Sequence, residues 1–352
     1  MDLPHIGRLA AGPRNSIADV AGVTVGHCTL DAGSVQTGVT VVVPHGGNLF
    51  THKLPAAVAV INGFGKSAGL VQLEELGTLE TPVALTNVFS VGAVLTAQVR
   101  HALQSNPESG RSLPSVNAVV MECNDGYLND LHAFAVQESH FRQALAAAST
   151  EVEQGAVGAG RGMSSFELKG GIGSASRKAA VGAVGEFTVG ALVLSNFGKL
   201  PDLILDGRPL GRELVGLSGL AAQAAASDAA PEKGSIIMIL ATDAPLDARQ
   251  LKRLATRAGA GLARTGSAYG HGSGDIALAF STAQQIEAGS ECVHASLLAD
   301  HLLDPLFHAA ADSVEQAIVN ALFAAQTVRG RDGHERASLR DCLAAANLPS
   351  SP

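Results

Sequence analysis

Short runs of consecutive apolar residues, with few polar breaks, constrain this chain more than any other feature. They are GVTVVVP at 38–44, AAVAVI at 56–61, VNAVVM at 116–121, EFTVGALVL at 186–194, SIIMILA at 235–241 and DIALAF at 275–280. Each is too short for a core helix and lacks the strict alternation of a strand with one wet face, so each reads as a buried strand. Helical spacing is expected at 86–103, 130–148 and 247–265, where Leu251, Leu254, Ala258 and Leu262 form one stripe. A further helix is expected at 294–326, in two pieces around Pro305. Strands and helices together predict an α+β fold. No repeat of fixed period and no strong boundary divides the sequence, so residues 1–352 are expected to form one unit. Segments 104–114 and 221–234 read as linkers, and the charged tail from Arg329 is expected to fray.

Composition removes whole classes of function. Hydrophobic residues make up 46% and charged residues 16%, the opposite of a disordered chain. A net charge of −8 without a Lys/Arg cluster, and aromatics at 4% with no Trp, argue against nucleic-acid binding. Cys28, Cys123, Cys292 and Cys342 are scattered with no CxxC pair, and no HExxH occurs, so neither a metal nor another cofactor is expected. The first residues lack the apolar core of a secretory signal, and no run reaches membrane-spanning length. A soluble, cytoplasmic protein without membrane partners is the expectation.

Five segments and one strand-end amide could carry chemistry. Gly65–Gly69 (GKSAG) fits the nucleophile elbow GxSxG around Ser67, a match that Gly-rich chains produce by chance. The Gly-crowded stretch 158–176 is either a loop lining a site with backbone N–H groups or a set of tight turns. In ECNDGYLND at 122–130, Glu122 at a strand end suits a substrate ammonium, whereas the Asn and Asp residues suit a turn and a helix cap. Gly234–Ser235 delivers an unhindered Gly carbonyl to a Ser that opens a strand. Attack of that hydroxyl on that carbonyl would turn the amide into an ester, and hydrolysis would leave a Ser carrying its own amine as a base. The alternative is an ordinary loop entering a strand. In GHGSGD at 270–275, Ser273 and Asp275 could both reach such a nucleophile, or could simply form a turn. Asn196, ending the strand before FG, could donate to an oxyanion or be a buried amide satisfied by backbone.

Taken together, several blocks change these odds. NSIADVAGVTVGH (15–27), TGVTVVVPHG (37–46), ELGTLETPVALTNVFSVG (75–92), ECNDGYLND, GAGRGMSSFELKGGIGSASR (158–177), GALVLSNFG (190–198), GSIIMILATDAPL (234–246) and ARTGSAYGHGSGDIALAFSTA (263–283) occur in the order found in the DmpA/BapA family of self-processing serine aminopeptidases. The chain resembles that family from about Asn15 to about Phe323. The resemblance implies a four-layer αββα sandwich, related to that of ornithine acetyltransferases, cut between Gly234 and Ser235 into 1–234 and 235–352. It implies Ser235 as nucleophile, Ser273 and Asp275 as its proton-handling partners, Asn196 as oxyanion donor, and Glu122 as the residue holding the substrate amine. The family's acidic partner can be Glu where this chain has Asp275, and other members carry an aromatic where Asn124 stands. The implied activity is release of N-terminal residues from short peptides, amides or esters, including β-amino-acid or D-residue substrates. A homo-oligomer of processed units is also implied. The rivals are an endo-acting amidase on the same scaffold, an unprocessed binding relative, and a hydrolase built on Ser67.

Overall fold

The computed structural model describes residues 4–217 and 233–349. Most of the linker expected at 221–234 lies outside the described residues. A first sheet runs in the order β1 (Thr24–Ala32), β2 (Val35–Val43), β5 (Val83–Asn87), β6 (Val119–Cys123). Only its β5–β6 pair is parallel. A second sheet runs in the order β13 (Ile286–Glu287), β3 (His52–Gly63), β12 (Gly272–Ser281), β11 (Lys233–Thr242), β10 (Gly185–Asn196), β9 (Gly171–Val181), with β4 (Thr78–Leu79) paired on β3. Its β11–β12 pair is parallel, and every other pair is antiparallel. Two short hairpins, β7 (Ser164–Ser165) with β8 (Leu168–Lys169) and β14 (Val328–Arg329) with β15 (Glu335–Arg336), lie outside both sheets.

The unbroken apolar runs have a direct cause in the layering. Side chains alternate faces along a strand. In β11, Ile237, Ile239 and Ala241 enter the core between the sheets, where they meet Val25, Leu85 and Met121. Ile236, Met238 and Leu240 enter a second core against the helices Ala248–Arg264 and Asp304–Ala324. A third core closes the outer face of the first sheet, where Val39, Val41 and Val120 pack on Val94, Ala97 and Phe141 of the helices Val91–Ser105 and Glu138–Ala146. The result is a four-layer αββα sandwich. Strands such as β2, β5, β6 and β12 are therefore buried on both faces along nearly their whole length and show no polar alternation.

Several expected elements shift, each for a local reason. The segment 86–103 opens inside β5, and its helix starts only at Val91. Within 130–148, Asp130 caps a single 3-10 turn, and the α-helix is limited to Glu138–Ala146. Pro305 sits in the first turn of one uninterrupted helix, where its missing N–H costs nothing, so it starts the helix instead of breaking it. The linker expected at 104–114 starts with the last two residues of the helix Val91–Ser105 and continues as turns, with Ser109 bonded to Pro114 O. The tail does not fray through this range: β14–β15 is followed by the helix Leu339–Ala346, whose Leu339 and Leu343 are fully buried. Truncating Ile239 to Ala removes a side chain at the centre of the inter-sheet core. The expected loss, read from denaturant unfolding, is about 2–5 kcal/mol.

Candidate active site

Register brings the central pair together. In the β10–β11 ladder Asn196 stands directly opposite Ser235, and in the parallel β11–β12 ladder Gly234 pairs with Ser273 and Ser235 with Gly274. Ser235 Oγ donates to Gly234 O at 2.7 Å and accepts from Gly274 N at 3.2 Å. Ser273 Oγ donates to Asp275 Oδ1 at 2.6 Å, and both residues are buried. The register between β12 and β3 slips by one residue between Asp275 and Ile276, next to this pair. Such irregularities re-aim side chains at strand ends. Asn62 Nδ2 anchors the loop above by donating to Gly270 O and Ser273 O.

Two glycines are required by close approach. A Cβ on Gly234 would stand 2.5 Å from Asn196 O and 2.8 Å from Phe197 Cα. One on Gly274 would stand 2.8 Å from Phe64 O and 3.1 Å from Ser235 Oγ. Neither residue has a positive φ, so close approach and not a left-handed backbone is the reason for glycine at both positions.

Asn196 is held on both ends of its amide. Ser164 N donates to its Oδ1 at 2.8 Å, and its Nδ2 donates to Asn124 O at 3.1 Å. One Nδ2 hydrogen is left for another acceptor. The Ser164 N–H belongs to the same peptide unit as the Met163 carbonyl, which accepts from Lys169 Nζ at 2.7 Å. Lys169 is fully buried and also donates to Gly160 O and Gly170 O. Desolvation pulls its pKa well below the usual lysine range, Arg161 adds to this, and Asp125 opposes it. Three carbonyls match the three N–H bonds of an ammonium, so the geometry favours the charged form. The Gly-crowded stretch is therefore a 3-10 turn and a short hairpin that brace the site, with its last residues, from Gly171, forming the start of β9. Its turn residues Phe166 and Glu167 take φ of 51° and 61°, left-handed values tolerated only under firm support.

Glu122 is 3% exposed, and its Oε1 accepts from Lys66 N at 2.7 Å. Burial raises its pKa, and the Lys66 N–H and the Lys66 charge oppose the rise. The other polar residues of its segment do turn and cap work. Asn124 Oδ1 accepts from Gly126 N, and Asp130 accepts from His132 N. Asp125 is fully buried against Asn129, and desolvation pushes its pKa to about 7 in spite of hydrogen bonds from Thr37 and Asn129 and the charge of Lys169. Ser235, Asn196, Glu122, Tyr127 and Arg336 all line one cavity of about 750 Å³, a volume suited to a small organic substrate. Ser273 and Asp275 lie behind its wall. Sequence patterns had not singled out Ser164, Lys169 or Arg336, because they act from turns and a hairpin with no motif of their own.

Ser67 is a different case. It does lie between β3 and the helix Leu70–Leu76, but its Oγ is buried with no hydrogen-bond partner among the described residues, so nothing there activates it. Nor does it line the cavity. The nucleophile-elbow alternative is thereby set aside. Among the described residues no cluster of His, Cys, Asp and Glu could hold a metal ion, and no helix is long and apolar enough to cross a membrane.

A sequence model described as peptidase family S58 matches residues 15–336. The chain belongs to this family. It is a hydrolase, a serine aminopeptidase with the N-terminal-nucleophile type of fold. Beta-peptidyl aminopeptidase BapA of Sphingosinicella microcystinivorans is 40% identical over 352 residues, covering 95% of this chain and 87% of the relative. The PH0078 protein of Pyrococcus horikoshii superposes with a TM-score of 0.89 at 47% identity, covering 97% of this chain and 95% of that one. The L-aminopeptidase D-Ala-esterase/amidase of Ochrobactrum anthropi, described as a prototype of the serine aminopeptidases and a variant of the Ntn hydrolase fold, superposes with a TM-score of 0.87 at 35% identity. That superposition covers 97% of this chain and 96% of the other.

The raised pKa of Asp125 has a pH consequence of definite sign. An unfolded Asp loses its proton near pH 3.9, so between about pH 4 and about pH 7 the unfolded chain sheds a proton that the folded one keeps. The contribution of Asp125 to stability therefore falls as pH rises through that window and is level above it. Asp125→Asn removes this slope. In thermal melts its Tm relative to wild type is expected to be higher at pH 7.5 than at pH 4.5, and an equal offset at both values would contradict the assignment.

Proposed function

We propose that the chain cuts itself between Gly234 and Ser235 and then releases N-terminal residues from short peptides, amides or esters. The observation that carries this reading is the position of Ser235 Oγ, bonded to the Gly234 carbonyl, opposite Asn196 and beside the Ser273–Asp275 pair. In the first reaction Ser235 Oγ adds to the Gly234 carbonyl carbon and gives up its proton. The C–N bond breaks, the departing nitrogen takes a proton, and an ester joins the two residues. Water then hydrolyses the ester, leaving a Gly234 carboxylate, the Ser235 hydroxyl and a free Ser235 amine. The products are residues 1–234 and 235–352 held in one fold.

In the second reaction the Ser235 amine is the base. Ser235 Oγ adds to the scissile carbonyl carbon while the amine, with a reference pKa near 8, takes the hydroxyl proton and returns it to the leaving amine as the C–N bond breaks. Water then hydrolyses the acyl-Ser235 ester. Ser273 stands in register with Gly234, next to the position of that amine, and its hydrogen bond to Asp275 orients it. The free Nδ2 hydrogen of Asn196 would meet the oxyanion. Glu122, a carboxylate with little access to water, would gain an ion pair from the ammonium of an unblocked N-terminus. That gain favours exo-cleavage over endo-acting amidase activity. Substrates with β-amino-acid residues enter the proposal from the Sphingosinicella relative, whose name describes a β-peptidyl aminopeptidase. Assembly of several processed units and a cytoplasmic location belong to the same proposal, and sedimentation and cell fractionation test them.

Ser235→Ala is expected to stay as one full-length chain and to turn over no aminoacyl amide, read by denaturing mass spectrometry and by product release. A Ser235→Ala protein that matures and hydrolyses substrate would end the reading. Asn196→Ala is expected to fold and to lose about 10²–10³ in kcat, the usual effect of one missing oxyanion donor. A kcat near that of wild type would remove Asn196 from this role.

A further inference from the structure

Arg336 is a cation without a carboxylate in the wall of the substrate cavity. It belongs to β15, which the β14–β15 hairpin brings to the cavity from a part of the sequence otherwise remote from the site. Its Nε donates to Ser164 Oγ at 3.2 Å and its Nη1 to Glu167 O at 3.1 Å. Its guanidinium carbon stands 3.7 Å from the centre of the Tyr127 ring, and Tyr127 is itself stacked on His334. These contacts fix the planar group, yet Nη2 makes no hydrogen bond to the described residues. Burial lowers its pKa, with Tyr127 and Glu167 opposing. Glu167, which lines the same cavity, offers Arg336 its backbone carbonyl, while its carboxylate accepts from Leu200 N at 3.5 Å. No ion pair is formed by Arg336 among the described residues, whereas Arg208 and Arg264 both have carboxylate partners.

A desolvated guanidinium held flat with donors to spare is suited to a carboxylate arriving with the ligand. Its place relative to the reacting atoms is given by two hydrogen bonds, Arg336 to Ser164 and Ser164 to Asn196, the register partner of Ser235. The same cavity holds Glu122 for an ammonium. A ligand with an ammonium at one end, a carboxylate at the other and the scissile amide between is a dipeptide with both ends free. We propose that Arg336 binds the carboxylate of the leaving residue and so makes zwitterionic dipeptides the preferred substrate class of this site. The inference rests on the aminopeptidase reading above.

The test compares Ala-Gly and β-Ala-Gly with their C-terminal amides, on wild type, Arg336→Met and Arg336→Lys. Amidation removes only the carboxylate, so the acid-to-amide ratio of kcat/KM isolates it. Wild type is expected to favour the acids by about 10-fold or more, mainly through KM, as fits a hydrogen-bonded charge pair. Arg336→Met is expected to bring the ratio to about 1, and Arg336→Lys to retain part of it. A wild-type ratio near 1 overturns the proposal. So does an Arg336→Met protein that is slower on acid and amide alike with the ratio preserved, the mark of a purely structural residue. Turnover of the amides with no preference for the acids would leave the aminopeptidase reading standing and remove this one. A wild type inert on all four substrates would overturn both.

Discussion

The antiparallel pairing of β10 with β11 is the constraint on which the site depends. It sets Asn196 opposite Ser235 with no loop between them, so their spacing is that of a sheet and not of a flexible connection. The parallel β11–β12 pairing then sets Gly234 beside Ser273. Three neighbouring strand ends thus deliver a hydroxyl, an amide and a Ser–Asp pair to one corner of the inter-sheet layer. The strands themselves are immovable for a plain reason. Their alternate side chains are committed to two different cores, and a one-residue slip would exchange all of them.

Around that rigid pair the polar groups form a supported network. Lys169 ties three carbonyls together, and one of those peptide units presents the N–H that orients Asn196. The backbone of Asn124 holds the other end of the amide. Buried charges in this region are met by neutral backbone and side-chain groups more than by one another, which keeps the directionality of each hydrogen bond. Glu122 and Arg336 differ in one respect, since each faces the cavity with part of its charge uncompensated. In an enzyme that combination directs binding energy toward a ligand of opposite polarity at each end.

Much of the fold was legible because burial leaves a clear imprint on local sequence. The run at 235–241 became Lys233–Thr242, and the stripe at 247–265 became the helix Ala248–Arg264 with Asp247 and Gln250 capping each other. Elements that mix strand, turn and helix in a short space were not legible. TNVFSVG holds the end of a strand and the entry to a helix, and nothing in its composition marks the change. Pro305 is ambiguous in sequence because the same residue breaks a helix in its interior and starts one at its first turn, as it does here.

By itself, the sequence determined that the chain would be a layered α+β molecule, because only strands buried on both faces can be so continuously apolar. It also marked Ser235, Asn196, Ser273, Asp275 and Glu122, because their blocks match a known family in order. Tertiary structure decided what those residues touch. Strand register joins positions 39 residues apart in Ser235 and Gly274, and a hairpin near the C-terminus carries Arg336 to a cavity whose other walls come from the first 272 residues. Such contacts come from pairing and closure of the whole chain, and leave no period or motif in the local sequence.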